Sequence, residues 1–203
     1  DGTARASIVA VGAVATNAGI DAGNALRGLT NFPRTAWNIW TDANTNYYVR
    51  SPNAQVGYTS TSFSAAMDYV ITNAGAAGVV EIGPTMQDGR EVKYEIDAPI
   101  YMTRRAGFFG ITVRGQGDYG THVGPKANYT GEQIVSTGGV GLLRFQNIRF
   151  DGFGSANTNP IIDVRGSAEL VVESCEFAST AGPSLRYGSE MAGNIGWNYF
   201  SDV

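Results

Sequence analysis

The spacing of apolar and polar positions changes character at Thr61-Ser62. From there Phe63, Ala66, Met67, Val70, Ile71 and Ala74 recur at intervals of three and four, which places them on one face of a helix. The hydroxyl residues before the run supply an N-cap, and Gly75 supplies the usual stop. Beyond Gly78 the period shortens. Residues 79–84 (VVEIGP), 93–96 (KYEI), 99–102 (PIYM) and 109–117 (FGITVRGQG) are short apolar runs bounded by turn residues, the pattern of short strands.

Three ten-residue segments then align without gaps: 141–150 (GLLRFQNIRF), 168–177 (AELVVESCEF) and 191–200 (MAGNIGWNYF). Their final Phe residues lie 27 and 23 positions apart, one coil of chain each. Alternation puts Phe145, Val172 and Ile195 in one inward column, Ile148, Cys175 and Asn198 in a second, and Phe150, Phe177 and Phe200 in a third. Stacked about 4.8 Å apart, such columns build a continuous core that no single coil buries alone. Gln146-Asn147, Glu173-Ser174 and Gly196-Trp197 fall at a corner, where Asn and Gly tolerate a left-handed backbone. The pattern predicts an all-β solenoid, a parallel β-helix whose capping helix and first coils occupy residues 60–203 and whose stack continues past Val203. A leucine-rich repeat needs recurring leucines with Asn, and a sandwich needs regular hairpin turns; this region has neither.

Residues 1–59 differ: they are rich in Ala, Gly, Asn and Thr, with apolar patches at 8–14 and 37–49 and no sustained period. They read as a separate N-terminal segment. Its aromatic cluster, Trp37, Trp40, Tyr47 and Tyr48, suits a sugar-stacking surface or a small core or oligomer contact, the second being the commoner use of aromatics.

Composition narrows the function classes. Gly makes up 27 of 203 residues and charged residues only 16%, which fits turn-rich β structure. With 14 basic and 18 acidic residues the net charge is −4, without the basic excess that neutralises phosphates, so nucleic acid is not an expected partner. No apolar run reaches 18 residues, so no membrane span is expected; 7–15 (SIVAVGAVA) is too short for one and lacks the charged start of a signal peptide, and Asp1 follows a cleavage or begins a fragment. The single Cys175 excludes an internal disulfide and reads as a small buried apolar residue.

The helix with Phe63-Ser64-Ala65-Ala66-Met67, then Gly78-Val79-Val80-Glu81-Ile82-Gly83-Pro84, then Ile111-Thr112-Val113-Arg114-Gly115-Gln116-Gly117, resembles the start of the pectate-lyase-like β-helix superfamily. Within it the chain is most similar to bacteriophage tailspikes, and Asn147-Ile148-Arg149-Phe150 and Ser174-Cys175-Glu176-Phe177 match the coil endings of that group. The likeness covers about residues 61–203. It departs at Gly83-Pro84-Thr85-Met86 with Asp88-Gly89, where a Pro-x-Gly-x-Tyr turn is commoner; Tyr94 stands in for that Tyr after an insertion. The resemblance implies a right-handed parallel β-helix with an N-terminal capping α-helix, preceded by a small N-terminal segment. It further implies an extracellular homotrimer on the virion tail. Residues 1–59 would attach it to other tail proteins, and its coils would recognise host surface polysaccharide, with or without depolymerising it in the full-length protein. A secreted cellular polysaccharide lyase and a non-catalytic β-helical adhesin are the alternatives within the superfamily.

Glycoside cleavage uses two carboxyl groups, about 5–5.5 Å apart for retention or 6.5–9.5 Å for inversion. Stacked coils present such a pair when one outward column holds two acids. The outward columns read Arg149, Glu176, Tyr199 and, at the corner, Gln146, Glu173, Gly196, and neither stacks two carboxylates. Glu173, Glu176 and Asp151 are the candidate catalytic residues, the two Glu being expected to diverge across the corner. Arg149, Tyr199 and Trp197 are the candidate binding residues, with Arg149 expected to pair with Glu176. Asp151 and Asp163 lie in or near the loop 151–160, as turn residues or as the frame of a groove for sugar or metal. His122 reads as a loop residue without the company of a metal site, and Gly115-Gln116-Gly117 lacks the third glycine and the helix of a dinucleotide site. No metal and no cofactor is expected.

Overall fold

A computed structural model describes residues 36–42, 46–52, 56–74, 77–87, 90–102, 110–117, 120–137, 141–165, 169–188 and 198–201. All belong to one compact unit, Pro33–Val203, and are mostly β with one helix. No helix among the described residues is long and apolar enough to cross a membrane.

Strands β1 (Trp37–Thr41), β2 (Tyr47–Arg50) and β3 (Val56–Ser60) come first, as antiparallel neighbours. Helix α1 (Phe63–Asn73) follows, capped by Ser62, whose Oγ accepts the Ala65 N–H at 3.1 Å. Its buried side holds Phe63, Ala66, Met67, Val70 and Ile71, the face given by the spacing, together with Ser64. The Ser64 hydroxyl accepts the Asp97 and Ala98 N–H groups, both at 3.1 Å, and donates to the Ala98 carbonyl at 2.8 Å. A buried polar group is thereby satisfied, and the first turn of the helix is pinned to residues 97–98. The expected stop, Gly75, lies outside the described residues; Ala74 N–H closes on Val70 O at 2.8 Å.

The later strands are β4 (Ala77–Ile82), β5 (Met86–Gln87), β6 (Arg90–Glu91), β7 (Tyr94–Ile96), β8 (Ile100–Tyr101), β9 (Gly110–Arg114), β10 (His122–Pro125), β11 (Ile134–Ser136) and β12 (Leu142–Gln146). They continue as β13 (Arg149–Asp151), β14 (Ile162–Arg165), β15 (Leu170–Glu173), β16 (Glu176–Ala178), β17 (Leu185–Gly188) and β18 (Asn198–Ser201). The pair β5 and β6 is antiparallel and fills the insertion before Tyr94. The others form three sheets, ordered β18-β15-β12-β9-β4-β1-β2-β3, β16-β13-β10-β7 and β17-β14-β11-β8. From β7 onward the chain visits the second, third and first sheets in turn, and each strand pairs in parallel with its counterpart one circuit away. Parallel neighbours need a long crossover. Here it is a whole circuit: 33 residues from Val80 to Val113, 32 to Phe145, 27 to Val172 and 28 to Phe200.

The inward columns follow. In the first sheet Val80, Val113, Phe145 and Val172 are in register; in the second, Tyr94, Val123, Phe150 and Phe177; in the third, Ile100, Ile134, Ile162 and Leu185. Phe150 and Phe177 stack at 5.1 Å, and Ile148 and Cys175 are buried at the corner between the first two sheets. At that corner Asn147 and Ser174 both take positive φ, 56° and 49°. The third repeat segment is a correction. Its strand sets Phe200 opposite Val172 in the first sheet, not in line with Phe177, and sets Asn198 opposite Leu170. The circuit length decides this, because 28 residues match the preceding 27 and 23 do not.

Strand β1 pairs in parallel with β4, so strands β1 to β3, which fall almost wholly in the segment 1–59 read as separate, extend the first sheet. Their aromatics are divided between its faces. Tyr47 packs on Phe63 and Tyr94 in the core and Trp37 packs on Tyr69 of α1, whereas Trp40 stacks on Tyr48 at 5.4 Å outside that cluster. The cluster is therefore packing, split by the pleat, and no continuous stacking surface.

Candidate functional site

With Val123, Phe150 and Phe177 pointing inward, their chain neighbours in the second sheet point out: His122, Arg149 and Glu176 share one outward row, and Glu95, Gly124, Asp151 and Ala178 the next. Arg149 joins the two rows, its Nε 3.2 Å from Asp151 Oδ2 and one Nη 3.3 Å from Glu176 Oε2. The sequence candidates Arg149, Asp151 and Glu176 are thus brought together, and the expected Arg149–Glu176 pair is present. Asp151 also accepts the Phe153 N–H at 2.8 Å, which helps hold Phe153 at φ 50° and its ring beneath the Lys93 ammonium, 4.6 Å from the ring centre. His122 lies in strand β10 beside Arg149, not in a loop. Burial first, and then the Arg149 charge, push its imidazole below the ordinary histidine range, against the pull of Asp151, Glu91 and Glu176.

The first sheet carries a second row. Arg50, Asn38, Glu81, Arg114, Gln146 and Glu173 stand side by side on six successive strands. Arg114 donates to Glu81 Oε1 at 3.0 Å and to Gln146 Oε1 at 3.1 Å, and Gln146 Nε2 donates to Glu173. Arg144 adds a 3.9 Å contact to Glu173. Glu173 therefore belongs to a different face from Glu176, as the corner between them requires. Cys175, at that corner, gives its Sγ–H to the Glu173 carbonyl at 3.3 Å, and burial pushes the thiol up to about 11, so it is an inert packing residue.

The third sheet holds the arrangement that sequence reasoning missed. Asp163 is in strand β14, not a turn, and is only 2% exposed, while Arg186, next to it in register, has a side chain 55% exposed. Arg186 grips both Asp163 carboxylate oxygens, and Arg165 bonds Asp163 and, at 2.9 Å, Glu132. Burial alone would raise the Asp163 carboxyl; the hydrogen bonds from Arg186 and Arg165 outweigh it and hold the group below the usual carboxylate range. Tyr101 begins the same row, 42% exposed. The alternation in 162–165 (IDVR) and 185–188 (LRYG) carries the signal, in the strand of each coil that the ten-residue repeat does not cover.

Loop 151–160 is tied down by side-chain amides. Asn157 and Asn159 donate to the carbonyls of Gly131 and Thr130 one circuit earlier, at 2.9 and 2.8 Å. Tyr199 is in β18 opposite Val171, and Trp197 lies outside the described residues. Chemically, the second-sheet site is a guanidinium flanked by two carboxylates. An acid–base pair for cleavage needs its carboxyls on either side of a substrate bond, and here Arg149 occupies the space between them. Against protein-family models, curated proteins and solved structures, nothing matches this chain.

Proposed function

We propose that this chain is the opening part of a tailspike-like receptor-binding protein: a right-handed parallel β-helix, homotrimeric, joined to a bacteriophage tail through its N-terminal residues, which recognises polysaccharide on the host surface. The observation that carries this reading is the cyclic visiting of three parallel sheets directly after α1. Polar rows repeated about every 4.8 Å offer a polymer one contact per circuit, which suits a long ligand better than a small one. Recognition is the activity these residues support, because Asp151, Glu176 and Glu173 are engaged by Arg149, Gln146 and Arg144.

The test is retention of the intact protein on immobilised capsule and lipopolysaccharide from a panel of hosts. The expected result is binding to one polysaccharide, weakened at least about tenfold by Arg149→Ala, the effect of losing roughly 1.4 kcal/mol. New reducing or unsaturated ends would add cleavage to the function. Retention on none of the panel, or a monomer by light scattering, would count against the reading.

A further inference from the structure

Glu81 is nearly inaccessible, at 3% exposed, yet its carboxylate makes one hydrogen bond, from Arg114 at 3.0 Å. Arg114 lies on the side of β9. On the other side, in β1, Asn38 stands opposite Glu81 in parallel register and is completely buried. The Asn38 amide has a settled orientation, because Nδ2 donates to the Ala36 carbonyl at 2.7 Å, and its Oδ1 is left with no donor. Two buried acceptors thus stand in register on neighbouring strands, on one face of the sheet. A single proton satisfies both.

We propose that Glu81 takes up a proton in the folded protein and makes a hydrogen bond with it to Asn38 Oδ1, so that the first rung of the polar row is an acid-responsive contact in which Arg114 loses its counter-charge. The proton comes from solvent; the carboxylate becomes a carboxyl, the Arg114 guanidinium stays charged, and the row gains one positive charge. Arg114 keeps its bond to Gln146 and, with a side chain 41% exposed, is then open to an outside anion. The charged groups along the row are Arg114 on β9, Arg50 on β2 beyond Asn38, and Glu173 on β15 beyond Gln146. Burial acts in the same direction as the geometry: it lifts the Glu81 carboxyl above the ordinary glutamate range, with Arg114 opposing. This inference is independent of polysaccharide recognition.

The experiment is an NMR titration of the full chain, following the Glu81 side-chain carboxyl carbon, assigned with Glu81→Gln, and the Asn38 side-chain amide. The carboxyl is expected to titrate above the ordinary value of 4.5, with the Asn38 amide shifting at the same midpoint. Arg114→Gln, at a half-exposed position, should move the midpoint up. Asn38→Ala should move it down by about half a unit or more, the size of one net hydrogen bond. A midpoint at or below 4.5, or an Asn38 amide that does not respond while Glu81 titrates, overturns the proposal; both are read on the unmutated chain.

Discussion

Gly124→Ala puts the close stacking of successive circuits to the test. A Cβ at this position would stand 1.7 Å from the Asp151 carbonyl oxygen and 3.1 Å from Phe153 Cδ2, where real Cβ contacts stay beyond 3.0 Å. Strands β10 and β13 would have to part by about 1.3 Å, the gap between 1.7 and 3.0 Å. A separation of that size stretches bonds such as Arg149 N–H to Thr121 O, now 2.9 Å, beyond hydrogen-bonding range, and draws Phe150 away from Val123 in the core. Two ladder bonds at about 1 kcal/mol each, with overpacking at about 1–3 kcal/mol, give a destabilisation of about 3–5 kcal/mol. Ala also restricts the unfolded chain, which favours folding by about 0.4–1 kcal/mol. Gly188→Ala isolates that effect, because a Cβ on Gly188 meets nothing within 4 Å and its φ is not left-handed. Urea unfolding followed by circular dichroism, with a common slope, should find Gly188→Ala neutral or slightly stabilised and Gly124→Ala severely weakened or absent from the folded fraction. Agreement of the two variants within about 1 kcal/mol would refute the stacking argument.

Ser64→Ala leaves the Asp97 and Ala98 N–H groups without their acceptor and should cost about 2–3 kcal/mol, against about 1 kcal/mol for the cap removed by Ser62→Ala; thermal unfolding of the pair checks the order. Asp163→Asn leaves Arg165 and Arg186 without their shared carboxylate and should cost about 2 kcal/mol, less than a fully buried pair because both guanidiniums reach solvent. Since Asp163 is held below its ordinary range, its stabilisation is full above that range and is lost as the pH falls through it, so the gap between wild type and Asp163→Asn should close in acid. Glu81 has the opposite sign: its stabilisation is full below the ordinary glutamate range and is lost as the pH rises through the elevated one. Glu81→Gln should therefore be the more stable protein at pH 7, with the difference shrinking on acidification. Gln146→Glu sets a carboxylate against Glu173 and should destabilise by about 0.5–1 kcal/mol, an effect that shrinks in high salt.

What the chain made legible was whatever repeats along it. The face of α1, the columns through Phe145, Ile148 and Phe150, and the left-handed corner at Asn147 and Ser174 all follow from local spacing, and the structure has them. Phe200 falls opposite Val172 because circuit length, and not the ten-residue spacing, sets which strand pairs with which. Strands β1 and β2 gave no period because both their faces are covered: Ile39 and Trp40 are equally buried, so apolar and polar positions do not alternate. The outward site was the least legible part. Arg149 and Asp151 are two residues apart, but Asp163 meets Arg186 and Glu81 meets Arg114 only across a circuit, at separations fixed by loops whose lengths carry no periodic signal.

The polar rows also explain why register is specified at all. Inward columns tolerate exchange, since Ile111, Leu143 and Leu170 succeed one another with no change of chemistry, and a slip of one circuit would bury as much apolar surface. Outward rows do not tolerate it. In a parallel stack every residue faces its own counterpart, so a row of identical charges would repel along its whole length. The first-sheet row avoids this by alternating acceptor, donor, adaptor and acceptor: Glu81, Arg114, Gln146, Glu173. Gln146 is what makes the sequence work, accepting a hydrogen bond from Arg114 with its oxygen and donating one to Glu173 with its nitrogen. A neutral amide does both without any charge of its own. The surface proposed to meet a polysaccharide is therefore also the surface that fixes which circuit lies on which, and substitutions there should be read for stability before they are read for binding.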